Sequence, residues 1–155
     1  KSKATALGLD PTEVYTLASI IEEETTLHSE KDTIASVYLK RLKKGMPLGA
    51  DPTLKFAVRN FGLKRIAGEI LDVNSPYNTY KNKGLPPGPI CTPSTITIDK
   101  VLNAANTNFL FFVARPDLAG HLFSESYEEH LRKRDDYLKA DKLRRRSDPV
   151  QNPTN

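Results

Sequence analysis

The sequence contains little cysteine and no long apolar stretch, and each absence excludes a class of protein. Cys91 is the single cysteine, so no intrachain disulfide can form, and no cysteine and histidine cluster has the spacing of a zinc site. No run of about 18 apolar residues marks a membrane helix, and residues 1–5 lack the apolar centre of a signal peptide. Since the first residue is not methionine, we interpret the chain as a fragment whose leader or membrane anchor lies upstream.

The composition is that of a soluble globular protein. Of the 155 residues, 38% are apolar and 27% are charged, which is too apolar for a disordered chain. The net charge is +4, and the densest basic run is residues 144–146. That run precedes a polar tail and is typical of a solvated helix end, so we expect no nucleic-acid partner. We predict one domain over residues 1–143 and a flexible tail over residues 144–155.

Helix-capping residues and apolar residues at helical spacing predict five helices. Asp10, Pro11 and Glu13 form the start signal of the first, because Asp caps a helix and Pro tolerates its first position. Gly45 is the stop signal of the second. The five predicted helices span residues 11–27, 29–45, 54–61, 95–106 and 127–144.

Two further stretches are not helical. Residues 109–114 and 121–124 are rich in aromatic and branched side chains, and the turn residues between them predict a β-hairpin. Residues 74–94 contain five prolines and two glycines, a composition that favours a long irregular loop. We therefore predict a mostly helical, single α+β domain with one small antiparallel β element and a proline-rich loop along a cleft.

The first predicted helix carries three adjacent glutamates whose helical positions differ. At 100° per residue, Glu24 lies about 50° from the centre of the apolar face, whereas Glu22 and Glu23 lie about 110° and 150° from it. Burial raises the pKa of a carboxyl, and a raised pKa is what a general acid needs at neutral pH. Glu24 is therefore the candidate catalytic residue. The alternative interpretation is that all three glutamates belong to a solvated face.

Four motifs along the chain resemble one known family. They are residues 17–25 (LASIIEEET), 51–53 (DPT), 75–80 (SPYNTY) and 84–90 (GLPPGPI), and residues 121–123 (HLF) resemble a closing segment. In order and spacing they are similar to the endolytic murein transglycosylases of the YceG-like family, over residues 12–140. Residues 48–50 (LGA) and 92–94 (TPS) depart from the family pattern.

The resemblance implies an activity and a role for Glu24. The family cleaves the β-1,4 bond between N-acetylmuramic acid and N-acetylglucosamine without water and leaves a 1,6-anhydro-muramyl end. One glutamate, matched by Glu24, protonates the departing oxygen and then accepts the proton of the muramyl C6 hydroxyl. Glu22 belongs to the same motif, and helical position is the reason for preferring Glu24. The resemblance implies no metal and no organic cofactor.

The implied partners are peptidoglycan glycan strands and the synthases that polymerise them. Members of the family are anchored in the cytoplasmic membrane with this domain on its outer face. We expect the anchor to lie outside this chain. We also expect the isolated domain to be weakly active, because a missing upstream part helps to hold the glycan or the partner.

Eight further residues are candidates for binding the glycan, because sugars are held by aromatic faces and by amide or hydroxyl groups. The candidates are Thr25, Asp51, Thr53, Tyr77, Asn78, Thr79, Tyr80 and His121. Some have a structural alternative: Asp51 can cap a helix, and His121 can satisfy a hydrogen bond in the core. Tyr77 and Tyr80 can pack beneath the proline-rich loop and bind nothing.

Two other functions stay open on the sequence. A non-catalytic glycan-binding module would keep the cleft without turnover. A hydrolytic muramidase would use Asp51 or Asp72 as a second carboxylate and let water attack C1 of the sugar. The product ends distinguish them, because hydrolysis leaves a reducing sugar and transglycosylation leaves an anhydro sugar.

Overall fold

The computed structural model describes residues 2–63 and 66–147. The chain forms two compact units, Lys1–Thr107 and Asn108–Asn155. The predicted α+β class, mostly helical with one small antiparallel β element, is confirmed. Within the described residues, no helix combines the length and the apolar character that a bilayer crossing requires. The predicted domain boundaries stay predictions.

α2 is the central helix of the first unit. The unit contains α1 (Ser2–Ala6), α2 (Pro11–Glu24), α3 (His28–Lys44), α4 (Asp51–Ala57), a 3₁₀ turn (Gly68–Asp72) and α5 (Thr95–Leu102). α2 packs against α3, α4 and α5, and four of its apolar side chains are fully enclosed: Leu17, Ala18, Ile20 and Ile21. Burial of each large apolar side chain contributes about 1.5–3 kcal/mol, so the core strongly determines where this helix lies.

Side chains determine both ends of α2. At its start, Asp10 accepts a hydrogen bond from the Glu13 amide at 2.8 Å, and Glu13 accepts one from the Asp10 amide at 3.1 Å. At its end, Thr25 is extended (φ −151°, ψ 146°), and its hydroxyl accepts a hydrogen bond from the Leu27 amide at 3.1 Å. The helix stops at Glu24, before the predicted end at residue 27, because Thr25 already forms the turn into α3.

The bounds of the other helices agree with the prediction to different degrees. α3 ends as predicted, because Gly45 takes a left-handed conformation (φ 68°) and its amide donates to the carbonyl of Leu42 at 3.2 Å. α4 begins at Asp51, before the predicted start at residue 54, since Pro52 is tolerated in a first turn whose amides have no helical acceptor. α5 ends at Leu102, before the predicted end at residue 106.

The second unit is a β-hairpin with a long helix. β1 (Phe111–Ala114) and β2 (His121–Ser124) are antiparallel, with Phe111 opposite Ser124 and Ala114 opposite His121. α6 (Tyr127–Ser147) packs against both strands. The hairpin and this helix were both predicted. α6 continues to Ser147, past the predicted start of the tail at residue 144, and the rest of that tail lies outside the described residues.

The reciprocal hydrogen bonds at the start of α2 can be tested with Asp10→Ala. The substitution removes the acceptor for the Glu13 amide, and we expect the free energy of unfolding to fall by about 1 kcal/mol. Urea unfolding followed by circular dichroism measures the loss. Asp136→Ala, at an exposed position of α6, is the matched control. Equal losses in the two variants would contradict a capping role for Asp10.

Candidate active site

Glu24 is the last residue of α2 and lies half-buried beside α3 and α4. Its Oε2 accepts a hydrogen bond from the hydroxyl of Tyr38 on α3 at 3.1 Å. Asp51, the first residue of α4, and Lys55 on the same helix act on Glu24 through their charges. The predicted catalytic residue therefore belongs to a cluster of ionisable groups drawn from three helices.

The surroundings of Glu24 change its protonation. Burial raises the pKa of its carboxyl from 4.5 to about 8, and the nearby charge of Asp51 acts in the same direction. The hydrogen bond from Tyr38 and the charge of Lys55 oppose this shift without cancelling it. Glu24 is thus protonated at neutral pH while part of its surface stays accessible, which is the state that a general acid requires.

Asp51 belongs to the same cluster. Its Oδ1 accepts a hydrogen bond from the hydroxyl of Tyr80, and burial raises the pKa of Asp51, although this bond and the charge of Lys55 lower it. Asp51 does not cap α4: the capping position is Ala50, which makes no side-chain capping bond. Asp51 therefore lies close to Glu24 and does not occupy the capping position of α4.

Tyr80 lies over the turn that precedes α4. Gly49 in this turn has a positive φ of 57°, and a β-carbon there would stand 3.5 Å from the Tyr80 ring and 3.5 Å from Nη1 of Arg41. Arg41 donates hydrogen bonds from Nη1 to the carbonyls of Pro47 and Leu48, each at 3.1 Å. Glycine suits this turn because the left-handed conformation of Gly49 would strain a residue that carries a side chain.

Thr53 and Thr79, both predicted to bind the glycan, are enclosed by the protein. Thr53 donates its hydroxyl hydrogen to the Ala50 carbonyl at 2.7 Å and lies 2.8 Å from the hydroxyl of Thr79. The Thr79 hydroxyl accepts the Ala50 amide at 2.9 Å. Their exposed fractions are 0% and 1%, so in this structure the two side chains join α4 to the proline-rich loop and do not line a surface.

Asn78 has a similar position. Its amide nitrogen donates to the carbonyls of Leu71 and Val73 at 3.0 and 2.9 Å, and its side-chain oxygen accepts the Tyr80 amide at 3.0 Å. The side chain is fully enclosed. Asn78 therefore determines the path of the backbone that carries Tyr80, and direct contact with a sugar would need this loop to open.

The three remaining predicted binding residues lie in different surroundings. Tyr77 is half-buried, and its ring centroid is 4.7 Å from that of Phe56. Thr25 is buried, and its hydroxyl accepts a hydrogen bond from the Leu27 amide in the turn between α2 and α3. His121 lies in the second unit as the first residue of β2, with its ring 5.4 Å from that of Phe112. A role for His121 at the site stays a prediction.

Glu22 has partners quite unlike those of Glu24. Its carboxylate accepts hydrogen bonds from the Lys31 ammonium at 3.0 Å, from the Ser94 amide at 3.2 Å and from the Thr97 hydroxyl. Burial raises the pKa of Glu22, but the hydrogen bonds from Thr97, Lys31 and Ser94 lower it by more. An ionised carboxylate bound to α3 and α5 holds these helices together and is poorly suited to donate a proton.

Ser19 makes a second connection on the same part of α2. The Ile90 amide donates to its hydroxyl at 3.0 Å, and the Cys91 thiol donates to its carbonyl at 3.3 Å. We call Ser19 and Glu22 the anchor side of α2, because together they hold residues 90–94 at the end of the proline-rich loop. Glu24 is rotated by about 160° from Glu22 around the helix axis, and it contacts Tyr38 instead.

Two members of the cluster, Tyr38 and Lys55, were not predicted as site residues, and neither was Arg41, whose charge acts on Tyr38. Tyr38 lies within the second predicted helix, residues 29–45, where apolar spacing gives it no functional role. Arg41 lies one turn after it on α3, so the two share a face of the helix. That i, i+3 pairing of a hydroxyl and a guanidinium was the available signal, but the sequence does not reveal that Tyr38 contacts Glu24.

The described residues contain no group of three or more His, Cys, Asp or Glu side chains that could hold a metal ion.

The model of the YceG-like family matches residues 1–136. The chain belongs to this family. A crystal structure of a YceG-like protein from Listeria monocytogenes resembles it with a TM-score of 0.75 and 36% sequence identity, over 84% of this chain and 41% of that chain.

Two curated relatives of this YceG-like chain are each named an endolytic murein transglycosylase. The protein from Bacillus subtilis (strain 168) is 38% identical over 127 residues, which cover 82% of this chain and 35% of that protein. The protein from Streptococcus pneumoniae serotype 2 is 32% identical over 127 residues, which cover 79% of this chain and 23% of that protein. The chain thus spans only about a third and a quarter of their lengths.

The raised pKa of Glu24 predicts a pH-dependent stability. Between pH 4.5 and about 8, the folded YceG-like chain keeps the Glu24 proton that the unfolded chain has released. Stability therefore decreases as the pH rises through this range. Glu24→Gln removes the ionisable group, so the melting temperature of the variant minus that of the wild type should increase from about pH 4 to about pH 8.

Glu23→Gln is the control for this measurement, because Glu23 is the exposed neighbour on the same helix. Its melting temperature should follow that of the wild type at every pH. If the melting temperatures of Glu24→Gln and the wild type differed by the same amount at every pH, the Glu24 carboxyl would have the same pKa in the folded and unfolded chains.

Proposed function

We propose that this chain carries the catalytic residues of an endolytic murein transglycosylase. In this proposal it cleaves the β-1,4 bond between N-acetylmuramic acid and N-acetylglucosamine within a peptidoglycan strand and leaves a 1,6-anhydro-muramyl end. The main support is the half-buried carboxyl of Glu24, whose pKa is raised to about 8. The names of the two curated relatives support the substrate class.

Glu24 can serve as both acid and base in this reaction. As the acid, it gives its proton to the glycosidic oxygen while the bond from that oxygen to C1 of the muramyl sugar breaks. As the resulting carboxylate, it takes the proton of the C6 hydroxyl while the C6 oxygen bonds to C1. The two transfers return Glu24 to its starting state, and a pKa close to the working pH keeps both transfers accessible.

Glu22 is a poorer candidate for this role. Its pKa is lowered, and its carboxylate is held by Lys31, Thr97 and Ser94. Donating a proton would first require protonation of a group that three hydrogen bonds keep ionised, and those bonds join α2 to its neighbours. The contrast in environment, added to the difference in helical position, supports Glu24 as the acid.

Hydrolysis is the second candidate reaction, because Asp51 lies close enough to Glu24 to raise its pKa. As a carboxylate, Asp51 could orient a water molecule towards C1, which would give a muramidase. Asp72, the other candidate, is exposed at the end of the 3₁₀ turn. We favour transglycosylation because the Asp51 carboxylate is already bonded to Tyr80.

The proposed glycan-binding surface centres on Tyr80, a residue that is 38% exposed and bonded to Asp51 beside Glu24. An exposed aromatic face beside the acid is suited to stack on a sugar ring. Asn78, Thr53 and Thr79 then act by holding the loop and α4 in place, and Tyr77 supports the same loop through Phe56. His121 and Thr25 stay candidates on their motif positions alone.

The cellular setting follows from the substrate. Peptidoglycan lies outside the cytoplasmic membrane, so we propose that the chain acts on the extracytoplasmic side, next to the synthases that polymerise the glycan. Attachment to the membrane would come through a segment outside this chain.

Digestion of purified peptidoglycan tests the proposed reaction. The wild-type chain should yield fragments with anhydro-muramyl ends, detected by mass spectrometry. Glu24→Gln should lower the yield at least about 100-fold, because proton transfer by a positioned acid contributes roughly 10²–10⁴-fold. Glu23→Gln is the matched control and should retain the wild-type yield.

The other products decide between the alternatives. Reducing ends in place of anhydro ends would identify a hydrolase. If the reducing ends then disappeared in Asp51→Asn, Asp51 would be assigned as the second carboxylate of that hydrolase. Binding of glycan strands without any cleavage, with the fold intact, would favour the non-catalytic binding module.

Two variants of Tyr80 separate its proposed stacking from its hydrogen bond. Tyr80→Phe keeps the ring but loses the bond to Asp51, so we expect nearly unchanged KM and a changed pH profile. Tyr80→Ala loses both, and KM should rise by a few-fold to about 10-fold, since stacking of a ring contributes roughly 0.5–1.5 kcal/mol. Steady-state cleavage of glycan strands over a range of pH measures KM and the pH profile of each variant. An unchanged KM in Tyr80→Ala would remove Tyr80 from the binding surface.

A further inference from the structure

We propose that Tyr38 is a positioning residue that determines which oxygen of Glu24 donates the proton. The Tyr38 hydroxyl donates a hydrogen bond to Oε2 of Glu24. The transferable proton of Glu24 is therefore held on Oε1. The inference rests on the proposed function, because it describes how the same carboxyl performs the two proton transfers.

The position of Tyr38 leaves its hydroxyl little freedom. The side chain is 1% exposed, and it lies within the long helix α3, whose neighbouring residues Ile34, Ala35 and Val37 are fully buried. A ring enclosed in this way cannot swing its hydroxyl away from Glu24, to which the hydroxyl donates a hydrogen bond at 3.1 Å. The bond therefore fixes the rotation of the carboxyl as well as one of its oxygens.

The hydroxyl of Tyr38 stays protonated throughout the reaction. Burial raises its pKa well above 10, and the charge of Glu24 and the hydrogen bond to it act in the same direction. Tyr38 can therefore donate to Glu24 whether the carboxyl is neutral or ionised, and it never competes for the proton. A hydrogen bond to a charged acceptor is stronger than one to a neutral acceptor, so Tyr38 favours the carboxylate that forms when Glu24 releases its proton.

The other charged and titratable groups around Glu24 act differently. Asp51 and Lys55 on α4 affect Glu24 through charge, and a charge does not select one carboxyl oxygen over the other when both lie at similar distances. Arg41 on α3 and Tyr80 on the loop act on Tyr38 in the same through-space manner. The hydrogen bond from Tyr38 is directional, which is why we assign the selection of the oxygen to this residue.

Tyr38→Phe is the direct test, because it removes one hydroxyl and keeps the buried ring. The bond from Tyr38 lowers the pKa of Glu24, so its loss should move both the titration of the Glu24 carboxyl and the basic limb of the pH profile to higher pH. We expect kcat to fall roughly 10- to 100-fold, the equivalent of one hydrogen bond to a charged group, with little change in KM.

The readouts are steady-state cleavage of glycan strands from about pH 5 to 10 and carbon-13 NMR titration of the Glu24 carboxyl, both on the full chain. Tyr15→Phe is the matched control, because Tyr15 lies on α2 about 13 Å from Glu24 along the helix axis. It should leave kcat, the pH profile and the titration unchanged. Melting temperatures verify that each variant is folded.

A second replacement at residue 38 predicts the opposite shift. Incorporation of 3-fluorotyrosine keeps the shape of the ring and makes its hydroxyl a stronger donor, so the Glu24 titration should move to lower pH. A purely structural effect of changing Tyr38 would not produce shifts of opposite sign in the two variants.

The outcomes are separable from those of the proposed function. If the wild type cleaves glycan but Tyr38→Phe leaves the pH profile and the titration unchanged, the inference is wrong even if the rate falls. If the wild type cleaves nothing, the proposed function fails and the catalytic part of the inference fails with it. The NMR titration then still decides whether Tyr38 holds the Glu24 carboxyl.

Discussion

The partial withdrawal of one carboxyl from water is the constraint on which the first unit depends. In the proposed reaction, Glu24 must be enclosed enough for its proton affinity to rise and accessible enough for a substrate oxygen to reach it. The apolar side of α2 satisfies the first requirement, because its enclosed side chains hold the helix in the core. The end of the helix at Thr25 satisfies the second, because the chain turns away immediately after Glu24.

One helix also gives three identical side chains three different states. Glu22 is bound to Lys31 and to the start of α5, Glu23 is exposed, and Glu24 is half-buried beside Tyr38. Nothing in the chemistry of glutamate distinguishes them. The difference arises from the 100° rotation between neighbouring residues of a helix, which turns each carboxylate towards a different neighbour. Structural and chemical roles can therefore be adjacent in sequence without interfering.

Much of this arrangement could be predicted from local signals. The capping residues Asp10 and Glu13, the stop at Gly45, the hairpin and the inward position of Glu24 all depend on neighbours within a few residues or on one helical period. The partners of Glu24 could not be predicted in this way. Tyr38 and Lys55 reach it from other helices, and no local pattern encodes a contact between residues so far apart in sequence.

Three of the predicted glycan-binding residues show the same limit of sequence-based prediction. Asn78, Thr53 and Thr79 have the side chains of a sugar-binding site, and the family motif draws attention to them. Whether such groups bond a ligand or the protein's own backbone depends on burial, which composition does not reveal. Here all three bond internally. The short α1 and the 3₁₀ turn were also not predicted, since each is too short to show a period.

The anchor side of α2 has a consequence for how this chain can vary. Residues 90–94 bond to Ser19 and Glu22. These bonds fix how α2 is rotated about its own axis just before Glu24. Inserting or deleting one residue between Glu22 and Glu24 would turn Glu24 by about 100° around the helix axis and separate it from Tyr38. Natural or engineered change in this segment should therefore preserve its length, and substitutions should accumulate where insertions do not.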